Sequence, residues 1–175
     1  DERYEVEEQL DGWIKIYVGS DEDGNDIYGY ISSDYAEVRY ALLEAVEFTP
    51  VSAESKLRTE LCNYALQFLG NPYRWGGTSL TRGADCSGFV LSVYAHYGYS
   101  LPHSSRAQAN RGTQVSSSEM QPGDLVFYSS GGRINHVAIY IGGGKIIHAA
   151  NTNSGIIISR WNFRSPAKIV SIIND

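Results

Sequence analysis

Two cysteines, one methionine and no run of 18 or more apolar residues set the first limits on this chain. The missing apolar run excludes a membrane-spanning helix. Two cysteines are too few for a disulfide framework, although a single Cys62–Cys86 bridge is open. No CxxC or HExxH spacing occurs, so a zinc site is not expected. No Lys/Arg-rich run occurs either, which argues against a nucleic-acid partner. A basic segment followed by an apolar one, the mark of a signal peptide, is also missing, as it is from any mature secreted chain.

The 175 residues suit one domain, or one with a small appendage. Charge favours the second reading. Residues 1–50 carry 14 acidic and 3 basic side chains, whereas residues 51–175 carry 6 and 11. The asymmetry marks two units and favours docking of one on the other, screened by salt. The first unit reads as β. "YEVEEQLDGWIKIYV" is an extended run, an Asp11-Gly12 turn and a second run; "IYGYISSDY" is a third. The acidic turn "DEDGND" (21–26) lacks the Gly and Glu of a calcium loop and reads as solvated. Strand material begins close to Asp1, so further residues are expected before it. "DGWIKIYV…IYGYISSDY" resembles the C-terminal half of a bacterial SH3-like domain. "EAVEFTPVSAES" is the connector, broken by Pro50.

Ser52 or Ser55 is placed to cap a helix, with Leu57, Leu61, Tyr64, Ala65 and Phe68 on one face and Gly70 at its end. Cys62 lies beside that face and reads as a small buried hydrophobe. The Gly-rich "GNPYRWGGTSLTRGADC" is an irregular loop. Asp85 then caps a second helix, carrying Phe89, Val90, Val93, Tyr94 and Tyr97 and running to Gly98. Cys86 falls in its first turn, where the helix dipole favours a thiolate and lowers a thiol pKa.

A nucleophilic cysteine needs a base. His96 is late in the same helix and His103 is in a loop after Pro102. "INHVAIYI" and "KIIHAAN" read as two strands around "GGG". A hairpin centred on Gly142 sets His136 directly opposite His148. One imidazole would take the thiol proton and the other would fix its tautomer. "GDLVFY", "GIIISRW" and "AKIVSII" complete the set of buried strands.

Residues 55–175 resemble the NlpC/P60 class of papain-like cysteine peptidases, through "GNPYRWGGTS", "DCSGFV", "MQPGDLVFY" and "NHVAIYIGGGKIIHA" and the order Cys, His, His. The resemblance implies an α+β, papain-like catalytic domain over 55–175, with a helix-borne cysteine on an antiparallel sheet. Ahead of it stand a partial SH3-like β unit at 1–43 and a linker at 44–54. It implies Cys86 as nucleophile, His136 as base and His148 as orienting residue, with Tyr73 at the oxyanion. Asp85 and Ser87 match positions that bind the free amine of a stem peptide in relatives carrying SH3-like domains. In such relatives that domain walls off one end of the groove. Ser104, Ser105 and Arg106 are expected along the groove.

The implied substrate is peptidoglycan or a free muropeptide, cut after γ-linked D-glutamate without metal or cofactor by a secreted or wall-associated monomer. An amidase or acyltransferase on the same fold, or an inactive wall-binding module, are the rival readings.

Overall fold

The computed structural model describes residues 5–20, 26–34 and 53–174. The chain divides into two compact units, Asp1–Phe48 and Thr49–Asp175. The first is a three-stranded antiparallel meander of β1 (Glu5–Leu10), β2 (Trp13–Ser20) and β3 (Asp26–Ser32). Alternation along β2 buries Ile14 and Ile16 and leaves Trp13 exposed, as a strand of period two requires. The expected acidic turn falls mainly on residues 21–25, and the connector mainly on 44–52, both outside the described residues.

The second unit opens with α1 (Lys56–Leu66), whose N-cap is Ser55; the serine side chain makes no capping bond. Leu61, Cys62, Ala65 and Leu66 are the buried apolar face of α1. The helix stops at Leu66, and Gln67–Gly70 continue as turns rather than as helix. A short hairpin of β4 (Thr78–Ser79) and β5 (Gly83–Ala84) follows within the Gly-rich loop. Next come α2 (Cys86–His96) and the single turn α3 (Ser105–Gln108). Phe89, Val90, Val93 and Tyr94 of α2 are fully buried, each contributing about 1.5–3 kcal/mol by leaving water.

The remaining strands are β6 (Thr113–Gln114), β7 (Leu125–Ser130), β8 (Arg133–Gly142), β9 (Lys145–Asn151), β10 (Gly155–Arg160) and β11 (Pro166–Ser171). They form one antiparallel sheet in the order β10-β9-β8-β7-β11-β6. Its two faces feed separate cores. Leu125, Phe127, Val137, Ile139, Ile147 and Val170 join the helices, while Val126, Tyr128, Ala138, Ile146 and Ile169 form a second cluster.

One register differs from the sequence expectation. The β8–β9 ladder pairs Gly142 with Lys145, Tyr140 with Ile146 and Ile139 with Ile147, with a bulge between Tyr140 and Gly142. The turn therefore closes on Gly143 and Gly144, both at positive φ, as the favoured two-residue hairpin turn requires. Continued along the strands, this register sets His148 opposite Ala138, two residues from His136. The two histidines share a face, but as diagonal neighbours and not as a directly facing pair.

Candidate active site

The diagonal separation suits two imidazoles. Cross-strand diagonal positions lie about 7–8 Å apart, a gap that long or aromatic side chains span. Nε2 of His136 comes to 2.7 Å from Nδ1 of His148. The far nitrogen of His148, Nε2, lies 3.0 Å from the Ser159 hydroxyl. The β9–β10 register explains this contact: Ile157 faces His148, and Ser159 is two residues further along β10.

Cys86 approaches β8 from the helix side. It is half-buried at the first position of α2, and α2 packs on β8 and β9. The backbone N–H of Val137, the residue after His136, lies near its sulfur and favours the thiolate, as do the N–H groups of Ser87 and of Cys86 itself. The nucleophile candidate thus lies beside the residue that follows the first histidine on β8. Both cysteines are free, so the Cys62–Cys86 bridge is not formed.

Asp85 makes the helix start rigid. Its side chain accepts from Gly88 N at 2.7 Å, from the Ser87 hydroxyl at 3.2 Å and from Gly76 N at 3.0 Å. His103 Nε2 lies 2.9 and 3.0 Å from its two oxygens. The capping bond is the expected one, but the contact with His103 has no local sequence signal. Close packing explains the glycines: a Cβ on Gly88 would sit 2.0 Å from the Gly77 carbonyl oxygen. The Gly-rich loop can lie on the first turn of α2 only if Gly88 has no side chain.

Tyr73 bridges to Ala84 beside that turn. Burial, then the nearby Cys86 and Asp85, push its phenol up to about 12, so the hydroxyl is a proton donor at neutral pH. Ser105 and Arg106 lie on α3, with Arg106 exposed. Ser104 is the N-cap of α3 and accepts from Ala107 N. His96 ends α2 and stacks on Tyr64 at 4.0 Å between ring centroids.

Burial dominates the electrostatics. It lowers His136 to about 3, helped by His148 and by the Arg164 guanidinium, and it lowers His148 to about 4. Burial also raises the Cys86 thiol above its ordinary value; Asp85 adds to the rise, and the N–H groups of Val137, Ser87 and Cys86 oppose it. A thiolate lowered by the helix start alone is therefore not what the fold provides. The aromatic ring of Phe163 lies 5.3 Å from His148 and 6.4 Å from His136, and Tyr128 lies 5.9 Å from His136. These apolar rings account for the desolvation of both imidazoles. Ser159, Phe163 and His103 are site neighbours that local pattern did not reveal, because each arrives from another element.

The depressed histidines carry a pH signature. Between 6.5 and about 3 the unfolded chain binds protons that His136 refuses when folded. Stability should be full above about pH 6.5 and fall as pH is lowered through this window. Urea midpoints at about pH 7 and about pH 4.5 measure the decline, which His136→Gln should make shallower. An unchanged slope in that variant would contradict the assignment. Among the described residues no three His, Cys, Asp or Glu side chains group as a metal site.

Residues 70–171 match the model of the NlpC/P60 family. The chain is 42% identical over 112 residues to the γ-D-glutamyl-L-lysine dipeptidyl-peptidase of Bacillus subtilis, covering 62% of this chain and 38% of that protein. It is 51% identical over 85 residues to a probable endopeptidase p60 of Listeria seeligeri, covering 49% of this chain and 16% of that protein. The chain thus spans well under half the length of these curated relatives. Among solved structures, the NlpC/p60 domain of the peptidoglycan hydrolase SagA superposes with a TM-score of 0.60 at 35% identity, over 65% of this chain and 97% of that one. An NlpC/P60 family protein from Bacillus cereus gives 0.64 at 25% identity, over 99% of this chain and 55% of that one.

Proposed function

The chain belongs to the NlpC/P60 family, and on that premise we propose that it is a cysteine peptidase hydrolysing peptidoglycan stem peptides at the bond from γ-D-glutamate to the diamino acid. One observation carries the mechanism: His136 contacts His148 at 2.7 Å, while the next residue along β8, Val137, lies near the Cys86 sulfur with its backbone N–H favouring the thiolate. The name of the Bacillus subtilis relative supports the choice of bond.

Cys86 is the nucleophile. Its sulfur attacks the γ-carbonyl carbon as His136 takes the thiol proton. Burial holds the thiol up and the imidazole down, so both rest neutral and proton transfer accompanies attack. Tyr73 and the Cys86 N–H donate to the developing oxyanion. Collapse expels the amine of the diamino acid, which takes the proton from His136 and leaves a thioester. Water, deprotonated by His136, then releases the γ-carboxylate and returns the thiol. General acid–base help of this kind is worth about 10²–10⁴ in rate. His148 orients His136 throughout.

Asp85 and Ser87 bind the free amine of the stem peptide. The Asp85 carboxylate already holds His103, so an arriving ammonium shares or displaces that partner. Ser105 and Arg106 line the groove on α3. Residues 1–43 are part of a bacterial SH3-like domain, residues 44–54 the linker and 55–175 the catalytic domain. The protein works as a monomer, outside the cell or at the wall.

Defined stem peptides analysed by mass spectrometry test the proposal. L-Ala-γ-D-Glu-diamino acid should be cut between its second and third residues. The free-amine form should react about tenfold faster than its N-acetylated form, the value of one charged hydrogen bond. Equal rates on both would remove Asp85 and Ser87 from amine binding. On purified muropeptide, cleavage at a different bond would favour an amidase or acyltransferase.

A further inference from the structure

The contact between His148 and Ser159 has a consequence for proton placement at His136. A neutral imidazole carries one N–H and one lone pair, so a chain of two imidazoles has two ordered states. In the first, His148 is protonated on Nδ1 and donates to His136 Nε2. The proton of His136 then sits on Nδ1, and His136 has no free lone pair for a thiol proton. In the second, His148 is protonated on Nε2 and donates to Ser159 Oγ, 3.0 Å away. Its Nδ1 lone pair then accepts from His136 Nε2–H across 2.7 Å. That leaves His136 Nδ1 unprotonated, on the edge turned away from His148.

Only the second state offers a base. It is also the only one that survives proton uptake. Once His136 is an imidazolium, both of its nitrogens donate, so His148 Nδ1 must accept and His148 Nε2 must keep its proton. That proton needs an acceptor, because burial makes an unpaired donor cost about 1–3 kcal/mol. Phe163 and Tyr128 pack over the pair and supply no acceptor with their rings. The Arg164 guanidinium, which acts on His136, only donates, and it is committed to the Ser129 carbonyl and Asn135 Oδ1.

We propose that Ser159 is a positioning residue that fixes the His148 tautomer, extending the histidine pair into a Ser159–His148–His136 relay. The proposal rests on the reading of His136 as the base for Cys86. Ser159 touches neither substrate nor thiol; it acts through His148. Side-chain alternation in "GIIISR" places Ser159 and Ile157 on one strand face, and the pairing of β10 with β9 delivers that face to His148.

The test uses Ser159→Ala and Ser159→Thr in the full chain, with nitrogen-15 imidazole shifts read alongside kinetics. In the unaltered protein His148 should be neutral and protonated on Nε2. In Ser159→Ala the Nδ1-protonated form should appear, and kcat should fall about tenfold with KM within about twofold, the pattern of a lost hydrogen bond needed for the charged imidazolium. Ser159→Thr keeps the hydroxyl and should restore both readings. An unmoved His148 tautomer in Ser159→Ala overturns the proposal, and so does a moved tautomer with unchanged kcat. Absence of stem-peptide hydrolysis by the unaltered protein would instead overturn the proposed reaction, while the tautomer shift would still report on the relay.

Discussion

Cys86→Ser and Cys86→Ala should each lower stem-peptide turnover by at least about 10⁴-fold, the usual cost of losing a covalent nucleophile. The fold should survive both changes. Cys86 is the first residue of α2 and only half-buried, and the helix start is held by the Asp85 cap rather than by the thiol. Serine keeps a donor for the neutral imidazole but has a hydroxyl far harder to ionise. Circular dichroism should be unchanged while product release, followed by mass spectrometry, disappears. Near-normal turnover in either variant would sink the assignment of Cys86. Cys62→Ala is the control. That thiol is fully buried in the α1 core and pushed up to about 12 by desolvation, so it is inert. The Cys62→Ala protein should remain active and still take up iodoacetamide, at Cys86.

The second large effect concerns stability. Arg58→Ala should cost about 3–5 kcal/mol, the range for breaking a buried ion pair. Arg58 projects from α1 and is 4% exposed. Its guanidinium donates to Asp124 Oδ1 at 2.8 Å and to the Pro122 carbonyl at 2.9 Å. It also donates to Ser171 Oγ at 2.9 Å and to the Ile173 carbonyl at 3.1 Å. Removing it leaves Asp124, itself 1% exposed, as an unpaired buried carboxylate. It also unties α1 from the turn before β7 and from the end of β11. Domains of this size hold about 5–15 kcal/mol in total, so the variant should unfold at a much lower urea concentration. A loss below about 1 kcal/mol would show that water or another cation replaces the guanidinium.

The lesson of the charged pair differs from that of the cysteine. Asp85 is legible as a cap because capping is a contact across three residues, and its bond to Gly88 N is the one expected. The position of Cys86 follows from it. The strands β7 to β11 are legible from alternation and apolar runs, which depend on the strand's own period. Arg58 and Asp124 carry no such signal: they are 66 residues apart, and each taken alone reads as surface charge.

The hairpin marks the border between the two kinds of information. Two strands and a glycine turn are evident in "NHVAIYIGGGKIIHA", but which glycines close the turn is not. Three successive glycines all accept positive φ, so the local energies of neighbouring registers are close. The choice falls to packing. Seating Ile139 and Ile147 in the helix-side core and Ala138 and Ile146 on the opposite face fixes the pairing, and with it the diagonal reach of His136 to His148.

By itself, then, the sequence determined the elements, the capped helix start with its cysteine, and the face shared by two histidines, because these depend on residues a few positions apart. Only the tertiary structure decided the histidine register, the Ser159 and Phe163 neighbours, the His103–Asp85 pair and the direction in which the thiol is shifted. Each of these depends on which strand lies beside which, and on how much water the assembled layers exclude.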